Sequence, residues 1–142
     1  MAKPLVVDAN ILIRAVLGVR AHSLIERYTG SVTFLSVEEA FDDAGKYAPE
    51  VIRKFGGDEA AVLAALEKLE LLRRFVAIIP VENLAEFEEE ARERLKGKDE
   101  DDWLYLALAL RLECPIWTED TDFFGTGVAV WTSDRVELFF GR

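Results

Sequence analysis

Residues 4–18 read PLVVDANILIRAVLG. "PLVV" suits a short buried strand, and "NILIRAVLG" an almost wholly apolar helix closed by Gly18. Asp8 stands at the joint. A carboxylate between two apolar segments is costly unless it is hydrogen-bonded or paired. Asp8 or Asn10 could simply cap the helix. The decisive issue is whether other acids stand at equivalent strand ends.

The rest of the chain repeats the strand–helix alternation. "SVTFL" (31–35), "VAIIPV" (76–81), "PIW" (115–117) and "GVAVW" (127–131) read as further strands. A helix is expected over 21–30. Ser36 with Glu39 forms a capping box that starts another near residue 37, and Pro49 marks a break or restart inside it. After the Gly56-Gly57 turn, helices are expected over 58–75, 82–97 and 101–113. "TSDRVELFF" (132–140) adds a short helix or an edge strand. Strands alternating with helices imply a parallel sheet with helices on both faces, and right-handed crossovers align the strand C-termini along one edge. The expectation is one α/β domain over residues 1–142, a three-layer α/β/α sandwich around about five short strands.

The 142 residues suit one core, and a hydrophobic content of 51% argues against disorder. No apolar run reaches transmembrane length and no signal peptide is apparent, so a cytoplasmic, membrane-free protein is expected. Cys114 is the only cysteine, which excludes an internal disulfide or a cysteine-based zinc cluster. Lys and Arg number 17 and Asp and Glu 27, a net charge of -10. That argues against a broad basic surface for nucleic acid, but not against a nuclease whose acids hold cations.

Carboxylates recur along the expected sheet edge. Asp8 follows the first strand. Asp42 and Asp43 lie in the helix after the second, Asp101 and Asp102 open the helix before the fourth, and Asp120 and Asp122 follow it. Each group has an ordinary reading: a helix start, a solvated face, an Asx turn. Four groups at one edge, where open α/β sheets bind ligands, favour a joint role. Two carboxylates at ~4 Å repel by about 4 kcal/mol at an effective dielectric near 20. Divalent Mg²⁺ or Mn²⁺ removes that repulsion, orients water and stabilises a phosphodiester's leaving oxygen.

"VVDANILIRAVLG" together with "DDWLYLALALRLECPIWTEDTDFF" (101–124) resembles the PIN domain family, in particular the VapC-type toxins and related prokaryotic PIN nucleases. The resemblance implies an α/β/α sandwich and Mg²⁺- or Mn²⁺-dependent cleavage of RNA. Its metal-holding, catalytic acids fall on Asp8, Asp102 and Asp120, with Asp122 and Asp101 accessory. Thr118 matches the hydroxyl residue that holds the last loop, and Asn10 the polar residue beside the first acid. The second acid of the family is usually Glu. "AFDDAGKY" (40–47) offers Asp43 first, because it flanks the stripe Ala40, Phe41, Ala44 and Tyr47, then Asp42, then Glu39.

Other chemistries lack their parts. His22 is the only histidine, no G-x-G-x-x-G follows the first strand, and no Asp follows the third as a phosphoacceptor would require. The alternative function is a PIN-fold binding module with little or no catalysis. The resemblance implies an RNA substrate and an antitoxin partner. The apolar helix "ILIRAVL" suggests a homodimer. Arg14 and Lys46, then Arg53, Lys54, Arg73 and Arg74, are the candidate RNA contacts. Trp103, Trp117 and Trp131 are expected in the core.

Overall fold

Leu5, Val6 and Val7 are fully buried, so the first strand has no solvent face and belongs inside a sheet covered on both sides. The computed structural model, which describes residues 2–141, centres the sheet on this strand, β1 (Lys3–Val7). The other strands are β2 (Val32–Ser36), β3 (Val76–Ile78), β4 (Ile116–Trp117) and β5 (Val130–Trp131). The order is β3-β2-β1-β4-β5 and every pair is parallel. The chain moves outward from β1 through β2 to β3, then crosses to β4 and β5 on the other side. The gap between β1 and β4 is therefore the topological switch point, where such sheets bind ligands. Val7 pairs with Trp117, so Asp8 and Thr118 leave the sheet side by side.

The helices are α1 (Ala9–Leu17), α2 (Arg20–Tyr28), α3 (Glu38–Lys54), α4 (Glu59–Leu72), α5 (Glu88–Arg94), α6 (Trp103–Leu112) and α7 (Val136–Phe140). Helices α1, α3 and α4 pack on one another, while α5 and α6 pack together and α6 lies against β1. The result is the expected α/β/α sandwich. Trp117 and Phe34 fill its centre, and α7 adds Phe140, whose ring lies 5.9 Å from Trp117 and 5.7 Å from Phe34. Segment 132–140 thus ends in a helix.

Several local expectations are corrected. β3 and β5 are shorter than their apolar runs. Ser36 is the last residue of β2 rather than a helix cap: its hydroxyl donates to the Val7 carbonyl at 2.7 Å, and α3 starts after Val37 with no side-chain cap. Pro49 does not interrupt α3; it is itself buried, and packing of the helix against α1 and α4 outweighs one lost donor. Tyr47 is 43% exposed, because the buried stripe runs Ala40, Ala44, Ala48 at four-residue spacing. The helix expected over 82–97 is a 3-10 turn (Val81–Phe87) followed by α5. Leu84 and Phe87 are three apart, the 3-10 period, whereas Phe87, Ala91 and Leu95 are four apart. On α1, Ile11, Leu12, Ala15 and Val16 are absorbed by the chain's own core, leaving Leu17 exposed. Among the described residues, no helix is long and apolar enough to cross a membrane.

Candidate functional site

Asp8 ends β1 and caps α1. Its Oδ1 accepts the Ile11 backbone N–H at 3.0 Å, and its Oδ2 accepts the Thr118 hydroxyl. It is only 4% exposed. Burial pushes its carboxyl up to about 6. The Thr118 and Ile11 hydrogen bonds oppose that rise, and the charge of Asp120 adds to it.

Thr118 is fully buried and links three segments. Its N–H donates to the Trp131 carbonyl at 3.1 Å, and its hydroxyl serves Asp8 while accepting the Asp120 N–H at 2.9 Å. Asp120 then accepts the Asp122 N–H at 2.9 Å and opens a 3-10 turn over Thr121–Phe123. Phe123 is buried and meets the Tyr105 ring edge-on at 6.3 Å, which locks this loop to α6.

Asp102 heads α6 without making a cap hydrogen bond to the helix backbone. Burial pushes its carboxyl up to about 7. The charge of Asp99 is the next largest cause, followed by Asp120 and Asp8. One carboxylate oxygen each from Asp102, Asp120 and Asp122 lies within 4.8 Å of the others. This triad, all half-buried, is the tightest grouping. Asp122 joins it, whereas Asp8 stands beside it, coupled through charge and Thr118. Asp101 is exposed, and its N–H is capped by Asp99 Oδ1 at 3.0 Å.

Asp42 and Asp43 are both exposed on α3. The charge of Asp43 reaches Tyr105: burial pushes the Tyr105 phenol up, and Asp8, Asp43 and Asp102 add to it. Asn10 and Arg14, one turn apart on α1, line an open groove of about 530 Å³ with Ile13, Glu119, Asp120 and Thr121. Lys46 is exposed on α3, its ammonium 5.2 Å from the centre of the Tyr47 ring. Arg53 pairs with Glu59, and Arg73 with Glu38 and Glu70.

The donors are all carboxylate oxygens, which suit a hard divalent cation. Raised carboxyls on Asp8 and Asp102, each pushed up in part by the charge of Asp120, mark an anionic cluster that a cation would relieve. In sequence, the family model described as PIN domain matches residues 6–140. The chain belongs to the PIN domain family. No curated protein matches it in sequence. Among solved structures, a chain of VapBC2 from Rickettsia felis, bound to a DNA fragment from its promoter, is similar in fold with a TM-score of 0.66. The two are 13% identical over 91% of this chain and 98% of that one.

In this PIN domain two members of the neighbourhood have no counterpart in the sequence reading. Asp99 precedes the acidic pair, where it looks like one more surface charge. It reaches the cluster because Lys98 staples its segment to the Asp122 and Phe124 carbonyls at 3.2 and 3.1 Å. Tyr105 is hidden in an apolar helix. Its signal is its spacing, three residues after Asp102 and hence on the same face.

Proposed function

We propose that this PIN domain is a divalent-metal-dependent endoribonuclease. The observation that carries the reading is the Asp102–Asp120–Asp122 triad, standing beside buried Asp8 at the switch point of the sheet. Asp102, Asp120 and Asp122 would hold Mg²⁺ or Mn²⁺, with Asp8 and Asp43 supporting the site from either side. The metal would supply activation of water and stabilisation of the leaving oxygen of a phosphodiester.

The chain's own groups have definable tasks in this reading. Thr118 keeps Asp8 and Asp120 in fixed relation through one hydroxyl. Its hydrogen bond, with that of Ile11, favours the ionised form of Asp8 that a cation needs. Tyr105 packs on Phe123 and so holds the last loop against α6. No histidine takes part, because His22 lies on α2 in a separate groove with Glu26 and Lys68. We further propose RNA rather than DNA as substrate and a cytoplasmic setting. An antitoxin protein is a proposed partner, prompted by the VapBC2 likeness. Self-association is a second proposal, for which Leu63 and Leu71 on α4 are the exposed apolar candidates.

Labelled single-stranded and hairpin RNAs are incubated with the protein, or with Asp102→Asn, in Mg²⁺, Mn²⁺ or EDTA. Cleavage should need metal and be lost in the variant. A folded protein that binds RNA without cutting it in either metal would overturn the enzymatic reading in favour of a binding module.

A further inference from the structure

Arginine in this protein is nearly always paired. Of the described arginines, all but Arg14 and Arg74 lie against a carboxylate. Arg14 does not, although its groove contains both Glu119 and Asp120. Glu119 is otherwise engaged, accepting the Ser133 N–H at 2.7 Å, and Asp120 is turned toward Asp122 and Asp102. Arg14 therefore keeps an exposed, unused guanidinium on a molecule of net charge -10.

Its position relative to the acids is set by α1. Asp8 caps the helix and Arg14 follows six residues later, a rise of roughly 9 Å along the axis. Asn10 lies one turn below Arg14 on the same face, and half-buried Ile13 supplies an apolar wall between them. The groove thus offers a carboxylate cluster at one end, an amide and an apolar wall in the middle, and a guanidinium at the other end. A polyanionic strand entering the cluster meets strong repulsion, which a planar guanidinium beside a phosphate offsets with paired hydrogen bonds.

We infer that Arg14 is a positioning residue that holds the backbone phosphate next to the one being cleaved, with Asn10 and Ile13 lining the intervening nucleotide. The inference rests on the nuclease reading above and adds to it the direction in which the substrate strand runs, along α1. Arg14 lies beyond the cluster and does not touch the reacting atoms.

The test uses binding as well as cutting. Anisotropy of a labelled single-stranded RNA is followed from 50 to 200 mM salt in Mg²⁺, on the Asp102→Asn protein with and without Arg14→Ala or Arg14→Lys. A lost phosphate contact should weaken binding about ten-fold and lower the log–log salt slope by about 0.7. Arg14→Lys should keep the slope, because it keeps the charge. With the acids intact, Arg14→Ala should raise KM while leaving kcat near the original. An unchanged slope and KM in a protein that does cut RNA would overturn the assignment of Arg14 alone. Absence of metal-dependent cutting by the unaltered protein would overturn the nuclease reading and this inference with it.

Discussion

Replacing Asp102 with Asn should stabilise the metal-free protein while abolishing its chemistry. The Asp102 carboxyl is raised from an ordinary 3.8 to about 7, first by burial and then by Asp99, Asp120 and Asp8. The folded protein therefore keeps a proton that the unfolded chain gives up. Stability falls as pH rises from about 4 to about 7, and the full penalty is present above that window. At 1.36 kcal/mol per pH unit the ceiling is about 4 kcal/mol. The side chain is half-exposed, and solvent screening reduces this to about 1–2 kcal/mol. No helix-capping hydrogen bond is lost, because Asp102 makes none. Thermal unfolding in EDTA should thus show Asp102→Asn melting roughly 3–8 °C higher at pH 8, with no difference at pH 3.5. Asp42→Asn, which removes one exposed charge elsewhere on the surface, should stay within about 0.5 kcal/mol of the original at both pH values. Saturating Mg²⁺ should reverse the order, since it stabilises only a protein that binds it, by about 2.7 kcal/mol at 100 times Kd. A variant less stable at pH 8, or a difference independent of pH, would refute the electrostatic account of the cluster.

Other substitutions probe the remaining members. Thr118→Val removes the hydroxyl shared by Asp8 and Asp120 at nearly constant shape, leaving buried groups unsatisfied. It should cost about 1–3 kcal/mol in denaturant unfolding and lower RNA cleavage at least ten-fold; equal stability and activity would refute the linking role. Asp43→Asn should weaken Mg²⁺ binding in calorimetry, and Asp42→Asn should not. The opposite result would move the fourth acid to Asp42.

The sheet was legible because its strands are short apolar runs, each ended by a polar residue or a turn. The meeting of Asp8, Thr118, Asp102 and Asp120 was legible for a related reason: in a parallel sheet the strand ends, and the start of the helix that returns to the next strand, fall on one edge. Less legible features depend on contacts between distant segments. Asp122 is drawn into the tight triad, and Asp99 beside it, by the docking of Phe123 on Tyr105 and by the Lys98 staple. Neither contact follows from local spacing. Ser36 has the pattern of a helix cap, yet its hydroxyl finds a neighbouring strand's carbonyl first. Asp43 is preferred to Asp42 in the sequence for its place beside a stripe that included Tyr47, yet Ala48 rather than Tyr47 continues that stripe, because a helix face recurs every four residues here.

The pairing of Val7 with Trp117 bears on which changes of chain length the protein can absorb. Deleting one residue just before β4 would advance its register by one. Glu119 would then stand beside Asp8 where Thr118 now does, exchanging a hydroxyl donor for a second buried anion. The same slip would move Trp117 to the opposite buried face, into the place of Ile116 and away from Phe34 and Phe140, because side chains alternate faces along a strand. Added residues in the exposed turn at Gly125 would leave that alignment intact. Drift in length should therefore collect in the turns between the strands, while the four residues from Cys114 to Trp117 keep their count.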